Sequence, residues 1–442
     1  MEKLFVFVML KYSKMENFLD KQSQLFICNG KVIETTEKPD IFVDCEGLIL
    51  APGFIDIQLN GAFGIDFTQI CAENYEENEK QNIQKMEIVK NKLLKYGVTS
   101  FCPTIITSQQ KVYFNCLKLI EKMKTLNYER ISAQIIGAHF EGPFINPKRA
   151  GCHPTEYIIP INNHLEIDLF YSLNSPSKLI SNLSIVTLAP ELENSEKSIK
   201  ILNNKNIRVC IGHSNADMEI GENALDAGAT GITHLFCAMA GFHHRKPGII
   251  DLLLSTKTTK QKSKQIYYGI IADGVHISET SIQLAFCLNP NGAMLVTDGI
   301  SALGLNEGKH LLGNKIIKVE GRKATVDGTD ILAGRFFRNI FLFKLNLFFH
   351  LTVFASMIDC IKLFSSCIEK RHENRGFASA LKAATFTPAN FLGIQQQKGT
   401  LIAGSDADFV LIDERRMEII ATFIGGIKCF DSVNLFNGEL IE

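Results

Sequence analysis

Features typical of several other protein classes are missing from this chain of 442 residues. It has no surplus of positive charge, with 46 Lys and Arg against 47 Asp and Glu and a formal net charge of -1. Binding to a phosphate backbone needs such a surplus, so we expect no nucleic-acid partner. Its 12 cysteines include no Cys-x-x-Cys pair, which argues against thiolate zinc knuckles and thioredoxin-like motifs. A chain of this length buries a core without disulfides, so we expect reduced thiols and a cytoplasmic enzyme.

The sequence also lacks a convincing signal peptide or membrane span. The apolar run at 4–10 has no small-residue cleavage site behind it and is too short to cross a bilayer, so it predicts a short strand. The Phe-rich stretch 336–354, FFRNIFLFKLNLFFHLTVF, is interrupted by Arg338, Lys344 and other polar residues. That makes it a poor transmembrane helix, and we expect no membrane partner.

The middle of the chain alternates between short apolar runs and amphipathic stretches. This pattern predicts parallel strands joined by helices, and a polar residue stands at or near the end of each run. In a (β/α)8 TIM barrel these ends meet on one face, whereas a doubly wound open sheet would not bring so many to one centre. The residues in question are Gln58, Thr104, Glu141, Glu191, His213, His234, His276 and Asp298.

Both ends of the chain have β character. We therefore predict an α/β protein with three segments: residues 1–50, a barrel over 51–394, and residues 395–442. The two terminal segments are expected to form one small β-sandwich domain beside the barrel. The anomalous stretch 336–354 would be an insertion within the barrel.

Three of the strand-end residues suit a metal ion. Glu141, His213 and His234 would offer one carboxylate and two imidazoles, which is a catalytic zinc-type ligand set with a position left for water. Each histidine alone is more simply a hydrogen-bonded core or surface residue, and only the combination favours a metal. Asp298 could deprotonate a water and later protonate a leaving amine, or it could be a helix N-cap or a turn residue before Gly299.

Other polar residues near these strand ends suit substrate binding. Arg245 and His276 could bind a phosphate, although a solvated loop charge is the simpler interpretation of Arg245 alone. His153 lies in the segment after the Glu141 run, where a substrate-binding donor is expected.

Motifs along the chain resemble those of the N-acetylglucosamine-6-phosphate deacetylases, a family of the amidohydrolase superfamily. The resemblance runs from about residue 27 to 427, outside 336–354, and its specificity comes from the number and order of the motifs. They read APGFIDIQLNG, GVTSFCPT, HFEGPFI, GHSNAD, THLFCAM, HHRKPGI, ADGVH, LVTDGISALG, LAG and KGTLIAGSDADFVLID.

The resemblance implies one divalent metal, Zn or Fe(II), held by Glu141, His213 and His234, with Asp298 as the general acid/base. Gln58 and Asn60 stand where the superfamily usually has His-x-His, which favours a single metal. The resemblance further implies a homodimer in which Arg245 reaches into the neighbouring subunit's site. The implied phosphosugar contacts are Cys152, His153, Cys237, Ala238, Arg245, Asp273, Gly274, Val275, His276, Leu332, Ala333 and Gly334.

The chain departs from the family at three places. Cys237 replaces an Asn and Cys152 replaces an Ala near the expected sugar, and losing the Asn removes an amide donor and acceptor. The stretch 336–354 has no family counterpart. One hypothesis is a gene-model or splicing artefact, such as translated intron; the other is a real lid or partner helix.

The resemblance implies hydrolysis of N-acetylglucosamine 6-phosphate to glucosamine 6-phosphate and acetate, in amino-sugar catabolism or recycling. Two alternatives stay open at this point. One is another amidohydrolase reaction, such as opening of a cyclic amide or deamination of a base. The other is a catalytically impaired scaffold, which the insertion and Cys237 would motivate.

Overall fold

The computed structural model describes most of the chain. The described residues are 5–8, 24–45, 47–72, 74–126, 131–163, 165–173, 178–254, 265–305, 307–312, 315–320, 323–326 and 355–433. The predicted substrate contacts Leu332, Ala333 and Gly334 and the stretch 336–354 lie outside these residues.

The strands of the described residues follow in chain order. They are β1 (Phe5–Val8), β2 (Gln24–Cys28), β3 (Lys31–Ile33), β4 (Ile41–Asp44), β5 (Ile49–Pro52), β6 (Phe54–Leu59), β7 (Gly61–Ala62), β8 (Ile65–Asp66), β9 (Val98–Ile106), β10 (Gln134–Ile135), β11 (Ala138–Glu141), β12 (Leu183–Leu188), β13 (Arg208–Ile211), β14 (Gly231–Ile232), β15 (Tyr267–Ile270), β16 (Ala293–Leu295), β17 (Gly308–Leu312), β18 (Lys315–Glu320), β19 (Lys323–Val326), β20 (Phe409–Asp413), β21 (Glu418–Ile424) and β22 (Ile427–Asp431).

The α-helices of the same residues lie mostly between these strands. They are α1 (Phe67–Ile70), α2 (Tyr75–Leu93), α3 (Gln110–Thr125), α4 (Glu166–Tyr171), α5 (Ser195–Asn204), α6 (Met218–Ala227), α7 (Glu279–Leu288), α8 (Met357–Glu369), α9 (Gly376–Ala384) and α10 (Phe386–Leu392). In this described part of the chain, no helix has both the length and the apolar character needed to cross a bilayer.

Eight parallel strands form the barrel. They pair in the order β6, β9, β11, β12, β13, β14, β15 and β16. A parallel bridge between Leu59 and Gly299 brings the segment after β16 back to β6, and the backbone N–H of Asn60 donates to the Gly299 carbonyl at 2.7 Å. The predicted (β/α)8 architecture is therefore confirmed, with a nearly closed ring of strands.

Burial on two sides explains the composition of the barrel strands. All six residues of β6 are buried, and β9 and β12 are buried along nearly their whole length. Parallel strands covered on both faces need continuous apolar runs, and this is the pattern in the sequence. Helix α3 shows the complementary pattern, because its buried residues recur at helical spacing: Val112, Cys116, Leu119, Ile120 and Met123.

The two ends of the chain form the second, smaller β structure. One sheet has the order β3-β2-β1-β4, and the other, antiparallel sheet has the order β22-β21-β20-β5. Side chains from both sheets share one apolar cluster that includes Leu25, Ile27, Phe409 and Phe423. Phe409 and Phe423 stack across β20 and β21 with ring centroids 4.4 Å apart. The β domain built from both chain ends is thus confirmed, while the domain boundaries at 50/51 and 394/395 stay predictions.

Candidate active site

Glu141, His213 and His234 come together on one rim of the barrel. Glu141 ends β11, while His213 and His234 each follow the last residue of their strand by two positions. The Nε2 atoms of His213 and His234 both lie 2.9 Å from Glu141 Oε1, and they are 3.1 Å from each other. All three side chains are buried. The sequence-predicted cluster therefore exists as a compact group of one carboxylate and two imidazoles.

The electrostatics of Glu141 favour its charged form. Burial on its own raises the pKa of this carboxyl, but its hydrogen bonds to the two imidazoles outweigh burial and hold the pKa well below its usual range. The structure therefore keeps a carboxylate ion at the centre of a buried group. A buried charge is stable only when positive charge or strong donors lie next to it.

The hydrogen bonds of the His213 ring show whether a cation would fit among these three side chains. Its Nδ1 lies 2.8 Å from the Arg149 carbonyl, which can only accept, so Nδ1 carries a proton. Nε2 can then donate to Glu141 Oε1, 2.9 Å away, only when the ring carries a second proton; in the neutral ring its lone pair faces that oxygen. Two lone pairs at this distance repel each other unless a positive charge lies between or beside them. Because a carboxylate and imidazoles are good ligands for divalent transition metals, the residues fit a divalent metal ion.

His153 joins this group, and it lies deeper than the sequence suggests. Its Nε2 is 4.0 Å from Glu141 Oε1, and the ligand atoms of Glu141, His153 and His213 lie within 4.8 Å of one another. Burial lowers the pKa of His153 to about 3, so the ring is neutral. The backbone N–H of Thr107 donates to its Nδ1 at 3.3 Å, and the Thr107 hydroxyl lies 2.7 Å from the same atom. With Nδ1 as the acceptor of the backbone N–H, the ring proton is on Nε2. His153 therefore presents an N–H donor to the cluster rather than a lone pair.

Two amides hold Asp298 beside the cluster. The Gln58 Nε2 donates to Glu141 Oε2 and to Asp298 Oδ1, each at 3.2 Å. The Asn60 Nδ2 donates to the same Oδ1 at 2.7 Å. Burial raises the pKa of Asp298, and the negative charge of Glu141 raises it further. Because both amides donate to Oδ1, a proton on this carboxyl is expected on Oδ2.

Strained backbone is concentrated at this rim. His213, His234, Ala238 and Asp298 have φ values of 50°, 26°, 51° and 47°. These are left-handed conformations that residues with a side chain adopt only when their surroundings enforce them. Strand ends that carry several such residues are typical of functional sites, and this strain is not visible in the sequence.

The predicted contacts at 273–276 form a tight turn after β15. The Asp273 carboxylate accepts hydrogen bonds from the backbone N–H groups of Val275 and His276, both at 2.8 Å, and pairs with the His276 ring. Burial raises the pKa of Asp273, but the His276 side chain outweighs this effect and the pKa is lowered. Gly274 has φ 77°, which a glycine adopts without strain. Asp273 thereby fixes the orientation of the His276 imidazole.

The other predicted substrate contacts differ in burial and in their connection to the cluster. Cys237 is buried, and its backbone N–H donates to the His234 carbonyl at 2.9 Å. Cys152 is exposed next to His153. Arg245 lies in an exposed loop over 241–246, and its backbone N–H contacts His243 Nδ1 of the same loop. Within one subunit, the described contacts of Arg245 do not join it to the Glu141 cluster.

Three contributors to the site were not assigned a role from the sequence. Asn60 holds Asp298, Thr107 orients His153, and the Arg149 carbonyl orients His213. Asn60 and Thr107 directly follow apolar strands, so the rule that polar strand ends converge could have found them. The Arg149 contact is a backbone carbonyl, and no side-chain pattern indicates it.

Comparison with known proteins agrees with this geometry. Residues 49–429 match the amidohydrolase family, so the chain belongs to that family. All twelve cysteines, every one within the described residues, are free thiols. The superfamily expected from the motifs is therefore confirmed.

Its relatives narrow the family further. The N-acetylglucosamine-6-phosphate deacetylase of Caenorhabditis elegans is 39% identical over 417 residues, which are 93% of this chain and 91% of the relative. The human N-acetylglucosamine-6-phosphate deacetylase is 40% identical over 383 residues, or 87% and 84% of the two chains. The crystal structure of the Pasteurella multocida deacetylase has 25% identity and a TM-score of 0.75, covering 96% of this chain and 99% of that one. The family resemblance expected from the motifs is confirmed.

Proposed function

We propose that the protein hydrolyses N-acetyl-D-glucosamine 6-phosphate to D-glucosamine 6-phosphate and acetate. The observation that carries this proposal is the buried group of Glu141, His213 and His234 with Asp298 held beside it by the Gln58 amide. The names of the relatives, and the large share of each chain that the matches cover, support the choice of substrate. The two alternatives are not favoured, because these relatives are named as deacetylases of phosphorylated N-acetyl sugars and the whole acid/base and ligand set is retained.

Glu141, His213 and His234 would hold one divalent metal, with Zn and Fe(II) as the best candidates. When bound, such a metal supplies Lewis-acid polarisation of the amide carbonyl and activation of a water molecule. Gln58 and Asn60 occupy the positions at which the superfamily has further histidines, and their amides already donate to carboxylates. This arrangement favours one metal per subunit.

Asp298 would act as the general base and then as the general acid. Its Oδ2 takes a proton from the attacking water, which forms a bond to the acetyl carbon. The raised pKa of this buried carboxyl makes it a better proton acceptor than an exposed aspartate. Oδ2 then returns the proton to the sugar nitrogen as the carbon–nitrogen bond breaks, and acetate and the free amine are the products.

His153 would stabilise the oxygen on which negative charge develops. Its Nε2–H points into the cluster, because Nδ1 accepts from the backbone of Thr107. The ring stays neutral, since burial holds the pKa of His153 near 3. A fixed donor in a water-poor site contributes more to transition-state stabilisation than a donor in solvent.

The phosphosugar would be bound by side chains and backbone around the rim. His276, oriented by Asp273, and Arg245 would bind the phosphate, with Arg245 contributed by the partner subunit of a homodimer. That arrangement is supported by the exposed loop 241–246, whose Phe242 side chain is 65% exposed. The remaining proposed contacts are Cys152, His153, Cys237, Ala238, Asp273, Gly274, Val275, Leu332, Ala333 and Gly334. The free cysteines support a cytoplasmic location. The names of the relatives support a role in amino-sugar catabolism or recycling.

Acetate release from the purified full-length chain tests the proposal, with metal content measured on the same sample. We expect metal-dependent turnover of N-acetylglucosamine 6-phosphate and much weaker turnover of unphosphorylated N-acetylglucosamine. N-acetylgalactosamine 6-phosphate is the matched comparison, because a relative at 28% identity from Escherichia coli is named for that substrate. Bound metal without any turnover of the three compounds would contradict the proposal.

A further inference from the structure

We propose that Glu191 is the positioning residue for His213, because its carboxylate holds the two chain segments that fix this imidazole on both sides. The inference rests on the proposed function, in which His213 is a metal ligand. Glu191 follows β12, on the strand between those that carry Glu141 and His213. In the described residues, its hydrogen bonds reach the neighbouring segments and not the cluster itself, so it would act through His213.

The Glu191 carboxylate accepts three hydrogen bonds from two different loops. Asn146 Nδ2 donates to Glu191 Oε1 at 2.8 Å, and the backbone N–H of Asn215 donates to the same oxygen at 2.6 Å. Ser214 Oγ donates to Oε2 at 2.6 Å. Asn146 lies after β11, whereas Ser214 and Asn215 directly follow His213. Glu191 therefore joins the segment after β11 to the segment after β13.

Both joined segments control the position of His213. The segment after β11 supplies the Arg149 carbonyl, which accepts from His213 Nδ1 at 2.8 Å, and the Asn146 N–H, which donates to the His213 carbonyl at 3.0 Å. The Arg149 side chain also contacts the segment after β13, where its Nε donates to Asn215 Oδ1 at 2.5 Å. The ring and the backbone of His213 are thus held by residues that Glu191 ties together.

The backbone of His213 needs this external support. Its φ of 50° is left-handed, a conformation that is unfavourable for a residue with a Cβ and persists only when the surroundings enforce it. Without the Glu191 carboxylate, the donors of Asn146, Ser214 and Asn215 lose their acceptor. The segment would then be free to relax toward negative φ, which would turn the imidazole away from Glu141.

The test compares three variants of the full-length chain. Glu191→Ala removes all three hydrogen bonds, and Glu191→Gln keeps an acceptor oxygen for Asn146 and Asn215 and an amide for Ser214 Oγ. Glu193→Ala is the matched control, because Glu193 is an exposed carboxylate in the same turn. The measured quantities are Zn²⁺ affinity by competition with a chelating dye, the absorption spectrum of the Co²⁺-loaded protein, and the melting temperature of the metal-free protein.

We expect Glu191→Ala to weaken Zn²⁺ binding by about 10- to 100-fold, the usual effect of removing a group that orients a metal ligand. Its Co²⁺ spectrum should change, while the metal-free melting temperature changes little. Glu191→Gln should bind Zn²⁺ no more than about fivefold more weakly than the parent. Its amide keeps the hydrogen-bond partners, but these bonds are neutral and therefore weaker than the charge-assisted bonds of the carboxylate. Glu193→Ala should match the parent. Parental Zn²⁺ affinity and an unchanged Co²⁺ spectrum in Glu191→Ala would overturn the proposal.

If Glu191→Ala does not fold, Ser214→Ala is the second variant: it removes the hydrogen bond to Glu191 Oε2 and the one that Ser214 Oγ accepts from the Ala216 N–H at 2.9 Å. Parental Zn²⁺ affinity in that variant would overturn the proposal.

Zn²⁺ binding by the parent distinguishes this inference from the proposed function. Zn²⁺ binding needs no substrate, so a parent that binds Zn²⁺ but releases no acetate contradicts only the proposed function. A parent that binds no Zn²⁺ overturns both.

Discussion

Asp56 is expected to make the stability of the barrel fall as pH rises. This residue of β6 is fully buried, and Thr297 Oγ1 donates to its Oδ2 at 2.5 Å, which links β6 to the segment that leads to Asp298. Burial raises the pKa of Asp56 from 3.8 to about 7, and the hydrogen bonds it accepts only partly oppose that rise. Between these two values the folded protein keeps a proton that the unfolded chain has lost.

The sign and size of the effect follow from this difference. Because the folded pKa lies above the unfolded one, the contribution to stability is complete below pH 3.8 and is lost as pH rises to about 7. At about 1.4 kcal/mol per pKa unit, the loss between pH 5 and pH 8 is about 2–3 kcal/mol. The substitution Asp56→Asn mimics the neutral acid and removes this slope.

Urea unfolding of the metal-free protein at pH 5 and pH 8 measures the effect. Titrating groups that do not interact with Asp56 contribute equally to both proteins, so the difference between them reports on Asp56 together with its coupling to Asp298, whose charge raises the Asp56 pKa. We expect the free energy of unfolding of the parent to fall by about 2–3 kcal/mol more than that of Asp56→Asn over this range. Parallel losses in the two proteins would refute the assignment of a raised pKa to Asp56.

Three further predictions concern the site. Asp298→Asn should lower acetate release by about 10²- to 10⁴-fold while Zn²⁺ binding persists, and turnover near the parental rate would contradict the acid/base role. Asn60→Leu removes the 2.7 Å hydrogen bond to Asp298 and should lower kcat by about tenfold with little change in KM; the opposite split would place Asn60 in substrate binding instead. Arg245→Ala should raise KM for the 6-phosphate substrate. Mixing its subunits with those of Asp298→Asn should restore part of the activity only if Arg245 acts across a dimer interface.

The parts of the site that the sequence predicts are those that depend on strand periodicity. Glu141, His213 and His234 each follow an apolar run, and parallel strands bring such ends to one rim, so their convergence was predictable. The ring closure that places Gln58 next to Asp298 follows from the same rule. The predicted convergence of these side chains does not depend on the exact bounds of the individual strands.

Other parts depend on register and local backbone, which the sequence does not display. The depth of His153 is one example, because a loop residue is expected near the surface and this one is buried with its Nδ1 on the Thr107 backbone. The left-handed conformation of His213 is another. Both result from loop packing after the strands, where several backbone conformations suit the same residues.

The sheet β22-β21-β20-β5 has a consequence for the order of folding during synthesis. Strand β5 directly precedes the first barrel strand, yet its partner β20 begins only at Phe409. Because a chain emerges from its N-terminus onward, β5 has no β20 to pair with until nearly all of the barrel has been made. Strand β20 therefore secures the strand that leads into β6, and the segment carrying Gln58 gains this anchor only after β20 has been made.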